Sequence, residues 1–239
     1  KSQRNMPEQL NIEIKELNDY NLQFQQAMKS GELSTEYSLL ASYKNSENEP
    51  KSRFLKQIDD EFLKADSLAM LNQNKSDGQF KLFAYMAALM GLFFLVYAKI
   101  VASKLLLIGY LFLFVLGWFF FKSSEKNQWF TRHLSARVFA ETLRTQFYLT
   151  LIDKQHTTKV TQLMDDTGIT QFKGTSWLKQ SVIALFSSQR EQTTDCSEKQ
   201  KEENMRFTCQ NWLENQAKYF DKKAKCLSVH HHKLEKIKG

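Results

Sequence analysis

The chain has 239 residues, 33 Lys and Arg against 26 Asp and Glu, and a mean hydropathy of -0.46. With only two prolines and eight glycines, it contains few residues that interrupt helices, which predicts a mostly helical fold. Three cysteines, Cys196, Cys209 and Cys226, are an odd number and argue against a disulfide framework. No basic-and-aromatic recognition motif accompanies the net charge of +7, so nucleic acid is not an expected partner.

Residues 1–50 are predicted to form N-terminal helices. Between residues 8 and 30, apolar residues recur in alternating steps of four and three, with Asn21 at the remaining position, which is typical of a coiled-coil seam. These apolar residues are Leu10, Ile14, Leu17, Phe24 and Met28. An ordinary amphipathic helix packed on its neighbour has the same spacing and is the preferred interpretation. Glu32–Lys44 predicts a short second helix, and residues 45–50 predict a polar loop.

Residues 51–81 are predicted to form a helix that leads into a membrane. Asp77 and Gly78 permit a break or bend just before the apolar segment that follows. The apolar residues of this helix describe one face: Phe54, Leu55, Ile58, Phe62, Leu63 and Leu68.

Residues 82–121 contain two uncharged apolar runs, Leu82–Ala98 and Leu105–Phe121, each 17 residues long. As a helix, each run is about 26 Å long, which is near the lower limit for crossing a membrane. The six residues between them force the two helices to lie side by side and antiparallel. We therefore predict an all-α membrane protein, with an antiparallel two-helix transmembrane hairpin and a cytoplasmic helical bundle. A helical hairpin buried in a soluble core is the alternative.

The charges that flank the hairpin predict its orientation. Seven Lys and Arg residues lie within about 20 residues of its outer ends, whereas the connection contains only Lys99 and Lys104. Because positive residues favour the cytoplasmic side, both termini are expected in the cytoplasm. The chain is then a multi-pass protein of the plasma membrane.

Small residues recur on the faces of both runs, which favours close packing between spans or between subunits. Neither run contains a charged side chain, so no charged selectivity ring is expected in the membrane. A pore would therefore need several copies of the chain around a hydrophobic constriction. The small residues are Ala84, Ala87, Ala88, Gly91, Gly109 and Gly117.

Residues 122–239 are predicted to form a cytoplasmic helical region. An apolar stripe between Trp129 and Leu151 has helical spacing, and Trp177–Phe186 predicts a short helix. Ser187–Lys199 predicts a loop, and Glu202–His232 predicts a long closing helix. The candidate packing residues of that closing helix are Phe207, Trp212, Tyr219, Phe220 and Leu227.

Arg137, Glu141 and Arg144 lie on one helical face, at positions i, i+4 and i+7. Near a membrane such a cluster can bind a lipid phosphate or a charged partner, or it can join two helices by salt bridges, which is the preferred interpretation. No phosphate-binding glycine loop, nucleophile elbow or zinc-protease motif occurs, so no catalytic residue, enzyme activity or cofactor is expected. His230–His232 lack the partners of a closed zinc site, so no metal is expected either.

Several segments of the chain resemble a known family. They are Phe62–Ala69, Trp129 with Arg137–Arg144, Gln146–Tyr148, and the residues Trp212, Leu213, Gln216, Tyr219, Leu234 and Glu235. Over roughly residues 54–239 the chain is similar to the SLATT group. These are bacterial two-transmembrane effectors associated with SMODS nucleotidyltransferases and SLOG nucleotide-sensor domains.

The resemblance implies an oligomeric effector of a bacterial antiphage or conflict system, which forms a pore or disrupts the inner membrane after a nucleotide signal. It implies that Arg137, Glu141 and Arg144 lie beside the membrane. No nucleotide-sensing fingerprint is present, and residues 1–50 are too short for a SLOG domain. Any sensor is therefore expected upstream of this sequence or on a partner. A membrane-anchored helical scaffold without channel activity is the alternative function.

Overall fold

The computed structural model describes residues 6–33, 38–41, 43, 50–100, 103–152, 175–187 and 197–238. Every regular element within these ranges is helical, so the predicted all-α class is confirmed. The membrane hairpin and its cytoplasmic bundle stay predictions, and the predicted loop over residues 45–49 lies outside the described ranges. In chain order the elements are α1 (Met6–Ser30), α2 (Pro50–Lys99), α3 (Lys104–Asn127), α4 (Trp129–Ile152), α5 (Trp177–Ser187), α6 (Glu198–Thr208), a π-helical turn (Cys209–Leu213) and α7 (Glu214–Lys238).

Helix α2 is the longest element, with 50 residues over about 75 Å. It passes through Asp77 and Gly78 without interruption, so the break that these residues permit does not occur. A glycine inside a helix costs only about 1 kcal/mol, and side-chain contacts secure the preceding turn. The Asn72 amide accepts a hydrogen bond from Gln23 Nε2 at 2.7 Å and donates one to the Leu68 carbonyl at 2.9 Å. The predicted leading helix and the first apolar run are therefore one continuous helix.

Helices α3 and α4 form a second long helical run that is interrupted at a single residue, Gln128. Gln128 has φ 50° and ψ 35°, which is the left-handed conformation, and its N–H donates to the Ser124 carbonyl at 3.0 Å. A left-handed residue at this position commonly ends a helix. Here α4 begins at the very next residue, Trp129.

The two long runs lie antiparallel and in contact along most of their length. Near the connection at residues 100–103, a Cβ on Gly109 would lie 2.8 Å from Cε1 of Phe93. Farther from the connection, His133 Nδ1 is 3.0 Å from the Ala69 carbonyl oxygen. Helix α2 therefore packs first against α3 and then against α4.

One half of this antiparallel pair, the N-terminal half of α2 with α4, is covered by α1, α5 and α6; we call this part the bundle. Aromatic rings join three of its helices, because Trp177 of α5 contacts Tyr20 of α1 and Phe139 of α4, with ring centroids 4.6 and 5.1 Å apart. The apolar stripe predicted for α2 and the later part of the one predicted for α4 supply its core, whereas Phe130 and Leu134 at the start of α4 are exposed. The buried side chains of those stripes include Phe54, Leu55, Ile58, Phe62, Leu68, Leu143, Phe147 and Leu151.

The segment after α1 does not continue as a helix. Gly31 has a left-handed φ of +67°, and the Glu32 N–H donates back to the Ala27 carbonyl at 3.1 Å, which closes the end of α1. Residues 39–41 form bends and a turn. The predicted second helix, Glu32–Lys44, is therefore wrong over its described residues.

A buried carboxylate explains the conformation of residues 38–41. Asp59 of α2 accepts hydrogen bonds from the Leu39 backbone N–H at 2.7 Å and from the Ser38 hydroxyl at 2.6 Å. The first bond pairs a backbone N–H that would donate to a backbone carbonyl in a helix. Together the two bonds hold the segment against α2. Burial nevertheless raises the pKa of Asp59 above its ordinary value.

The C-terminal helical segment begins earlier than predicted and packs over a shorter stretch. Its first residue is Glu198 rather than Glu202, because the Ser197 hydroxyl caps α6 by accepting the Gln200 N–H at 3.3 Å. Phe207 and Trp212 pack against the core as predicted. The packing prediction is wrong within this chain for three residues that are more than half exposed: Tyr219, Phe220 and Leu227.

The other half of the antiparallel pair is not covered by the rest of the described chain. Helix α3 has no buried residue, and apolar side chains point outward from both helices, as in Tyr85 (73% exposed) and Leu105 (77% exposed). Half-buried positions recur in α2 at residues 83, 86, 90, 93, 96 and 97, which indicates one narrow contact with α3. Both long runs contain a segment that is long and apolar enough to cross a membrane, and neither segment is buried.

Gln128→Gly is expected to stabilise the chain by about 1 kcal/mol, because glycine adopts the left-handed conformation without the steric cost of a Cβ. Denaturant unfolding in detergent, followed by the helical circular dichroism signal, measures the change. Gln128→Ala is the matched control, since it shortens the side chain but keeps the Cβ, and it should leave the free energy of unfolding unchanged. Equal changes in both variants would contradict a strained backbone at this residue.

Candidate functional site

The cluster predicted on α4 is assembled around Glu141. Its Oε1 lies 2.6 Å from Arg137 Nη2, and its Oε2 lies 3.3 Å from Arg144 Nη1. Arg137 also reaches α2, where its Nη1 is 2.9 Å from Asp66 Oδ1. The structure therefore places the three predicted residues together and adds Asp66, which sequence spacing could not reveal because it lies 71 positions from Arg137.

The Arg144 guanidinium is deeply enclosed, with its side chain 14% exposed. It lies over the Phe62 ring at 5.1 Å, and its buried Nε has no hydrogen-bond partner among the described residues. Two arginines and two carboxylates make the cluster formally neutral, so an incoming anion would have to displace a carboxylate. This geometry fits salt bridges that join α2 to α4 better than it fits an open phosphate site.

The π-helical turn, Cys209–Leu213, adapts the C-terminal helical segment to this side of α4. It is defined by a hydrogen bond from the Glu214 N–H to a carbonyl five residues back. Residues five apart point about 140° apart on a regular α-helix, whereas the wider turn brings Phe207 and Trp212 to one side. Both rings contact Tyr148, and Trp212 stacks on it with centroids 5.3 Å apart and an angle of 4°.

A groove of about 360 Å³ lies between α4 and the segment that contains the π turn. Its walls combine the two guanidinium groups of the cluster, the stacked aromatic pair and several side-chain amides. Such walls can hold a flat polar group that offers hydrogen-bond acceptors. Trp212 and Gln216 already belonged to the segments that resemble SLATT proteins, whereas Asn211 and Asn215 had no signal, because amides within a helix resemble solvated positions.

A larger cleft of about 740 Å³ lies between α1, α2 and α5. Apolar side chains such as Ile14 and Leu17 line it, and the hydroxyls of Tyr20 and Ser181 are buried there without a partner in the described parts of the chain. Burial raises the pKa of Tyr20 far above its ordinary value, and the negative charge of Glu61 adds to this effect. The cleft can therefore hold an apolar group that makes one hydrogen bond to a neutral phenol. Sequence reasoning missed it, because no motif marks a cleft between three helices.

The small residues of the apolar runs fall into two groups. Gly109 and Gly117 face α2, since a Cβ would lie 2.8 Å from Phe93 in the first case and 3.3 Å from Met86 in the second. Gly91 faces open space, with nothing within 4 Å of a Cβ. Close packing within the chain therefore involves the glycines of α3. The remaining small residues of α2 are exposed like Gly91: Ala84, Ala87 and Ala88.

Within the described ranges, no group of three or more His, Cys, Asp or Glu residues is placed to hold a metal ion. The side chains of His230–His232 lie outside the described part of the chain, and Cys226 is an exposed thiol.

Comparison with known proteins finds no match to a protein-family model, to a curated protein or to a solved structure. The resemblance to SLATT effectors therefore depends on the short sequence segments alone. The structure contributes a different kind of observation, which is the pair of long apolar helices joined to the bundle.

Glu141→Gln is expected to lower the free energy of unfolding by about 1–3 kcal/mol, because it leaves the enclosed Arg144 without an anionic partner. Glu198→Gln is the matched control. Glu198 pairs with Lys201 at 2.6 Å, but its side chain is 89% exposed, and such surface pairs contribute at most about 1 kcal/mol. Denaturant unfolding of both variants in one detergent makes the comparison. A loss no larger than that of the control would show that Glu141 does not stabilise the enclosed Arg144.

Gly109→Leu is expected to destabilise the contact of α2 with α3 by about 1–3 kcal/mol, because the new side chain collides with Phe93. Thermal unfolding in detergent measures this loss. Gly91→Leu adds the same side chain to open space and should unfold no more easily than the unchanged protein, because leucine favours the helix more than glycine does. If the exposed small residues of α2 mediate subunit packing, however, Gly91→Leu will alter the oligomer mass in detergent. An unchanged mass would count against that role.

Proposed function

We propose that the chain is an oligomeric two-span membrane effector whose bundle lies in the cytoplasm and controls the permeability of the bilayer. One observation carries this proposal. The same two helical runs are covered by other helices in one half and expose apolar side chains on their outward faces in the other. Exposed apolar surface of this extent is unfavourable in water, and a bilayer removes it.

The charges at the ends of the apolar runs fit the proposed depth in the membrane. Each of the four ends of the two apolar runs has a lysine directly beside it. All four side chains are exposed, so their ammonium groups can reach the lipid headgroups. Because the runs are antiparallel, both outer ends emerge on one side, which the excess of flanking positive charge assigns to the cytoplasm. The four lysines are Lys81, Lys99, Lys104 and Lys122.

Continuity of the helices gives the bundle a direct means of moving the spans. Helix α2 has no break between the bundle and its apolar half, so a tilt imposed in the bundle reaches the span at the same angle. The second run has one adjustable point, the left-handed Gln128. Because the spans carry no charge, several copies would form a hydrophobic constriction that opens when helices separate and water enters.

The biological setting of the proposal comes from the resemblance to SLATT effectors. It is the inner membrane of a bacterium, in an antiphage or conflict system that responds to a nucleotide signal. The signal is then sensed by a domain or partner outside this sequence. The bundle receives it, and loss of the membrane barrier stops growth of the infected cell.

The test is reconstitution of the full chain into liposomes that contain a trapped fluorescent dye. We expect the protein to stay with the vesicles through an alkaline wash. The dye should leak, with leakage rising more steeply than the protein-to-lipid ratio, because several copies form one pathway. Stable insertion with an intact barrier, when cross-linking detects oligomers, would favour the membrane-anchored scaffold instead. Failure to stay with the vesicles would contradict both functions.

The proposed orientation can be tested by treating intact cells with a membrane-impermeant maleimide, which labels exposed cysteines outside the cell. Cys226 on α7 should react only after the membrane is permeabilised. In a background without native cysteines, Ser103→Cys in the connection should react in intact cells. The reverse pattern would contradict cytoplasmic termini.

A further inference from the structure

An apolar stripe begins at the last residue of the π-helical turn and continues along α7, and the described part of the chain leaves it uncovered. Leu213, Phe220 and Leu227, each seven residues apart, are 55%, 65% and 68% exposed. Ala217 and Ala224 lie between them and are also exposed. The five positions alternate in steps of four and three, which is the spacing of a coiled-coil seam.

Helix α7 is aligned with the long helices rather than laid across them. The Tyr148 hydroxyl donates to the Asn211 carbonyl at 3.4 Å, while Arg137, eleven residues earlier in α4, shares a groove with Tyr219. Later residues of the C-terminal helix therefore meet earlier residues of α4. The two helices are antiparallel, and α7 points toward the apolar halves of α2 and α3.

We propose that the stripe on α7 binds α7 of a second copy of the chain, as a parallel helical pair. A helix that stands along the membrane normal cannot lay such a stripe on the bilayer surface, but it can pack along another upright helix. Copies inserted in one membrane share one orientation, so their α7 helices run in the same direction. The inference therefore rests on the proposed membrane insertion.

The charges beside the stripe fit a parallel pair. One flank carries Glu214, Asp221 and Ser228, and the opposite flank carries Gln216 and Lys223. In a parallel coiled coil, each flank of one helix faces the opposite flank of the other helix. A parallel pair therefore places Asp221 beside the neutral Gln216 of the second copy, and Lys223 beside Ser228. In an antiparallel pair, the same flank of both helices meets. An antiparallel pair would therefore place carboxylates against carboxylates.

Anchoring in the membrane allows so short a stripe to pair two copies of α7. Two heptads alone form at best a marginal pair in water. Copies held together by packed spans, however, have an effective concentration on the order of millimolar for each other's α7 helices. Alanines at Ala217 and Ala224 also let the two backbones approach closely. The pair would then link the bundles of neighbouring copies next to the Trp212–Tyr148 stack.

The test is disulfide cross-linking of the full chain in liposomes, with all three native cysteines replaced by serine. Ala217→Cys and Ala224→Cys should each cross-link to the same residue of another copy, because equal positions meet at every turn of a parallel pair. Lys222→Cys points away from the stripe and should react only at the background rate. An antiparallel pair cannot cross-link equal positions at both Ala217 and Ala224.

A matched pair of substitutions tests the stripe itself. Leu227→Glu, combined with Ala224→Cys, should reduce the cross-linked fraction about tenfold, which corresponds to about 1.4 kcal/mol. Val229→Glu is the control, because Val229 is also apolar and 53% exposed but lies on the other side of α7. It should leave the cross-linked fraction unchanged.

Three results would overturn the inference. The first is equal cross-linking at Ala224→Cys and Lys222→Cys, and the second is no cross-linking at the stripe in liposomes that contain oligomers. The third is quenching of a fluorophore at residue 224 by brominated lipids, which would show that the bilayer covers the stripe. Each of these leaves the proposed membrane function intact if the protein inserts and dye leaks. Failure of the unchanged protein to insert would instead end the proposed function.

Discussion

The structure depends on the antiparallel contact of α2 with α3 and α4, which runs through both the covered and the bare halves of the pair. Because the helices continue from one half into the other, the bundle cannot form without also fixing where the two apolar halves begin. A polar layer marks the change. Asn72 and Ser76 are buried within α2, and His133 lies against the Ala69 carbonyl at the same level. On the bundle side of this layer, α1, α5 and α6 close the core. On the apolar side, only the narrow contact between α2 and α3 remains.

The two halves of the pair are held in different ways. In the bundle, Arg137 bonds to Asp66 and His133 approaches Ala69, so a slide of α4 by one helical turn, about 5.4 Å, would break both contacts. In the bare half the contact consists of apolar side chains and of Gly109, close to Phe93. Apolar contacts lack the directionality of hydrogen bonds and tolerate rotation better. The register is therefore set in the bundle, and any adjustment is easier in the apolar half.

Sequence patterns predicted the features of this structure that depend on residues close to one another in the chain. Helical content follows from scarce proline and glycine, and the common face of Arg137, Glu141 and Arg144 follows from helical spacing. Tertiary contacts decided the rest. Asp66 joins the cluster from a distant helix, and the helix continues through Gly78 although glycine weakens it locally. The π turn likewise has no sequence signal, since the stacking of its tryptophan on α4 accounts for the extra residue in that turn.

The route by which contacts between copies would reach the spans follows from where α7 is attached. Its first turns touch the bundle through the π turn, whose Trp212 stacks on the fully enclosed Tyr148 of α4. A force on α7 therefore enters α4 rather than α2. The same α4 leads through Gln128 directly into α3, and this residue is the one break in either long run. Since the salt bridge between Arg137 and Asp66 holds α2 to α4, the run that can turn relative to the bundle is α3. In the proposed function, assembly would thus act on the second span first, and the first span would follow through its narrow contact with it.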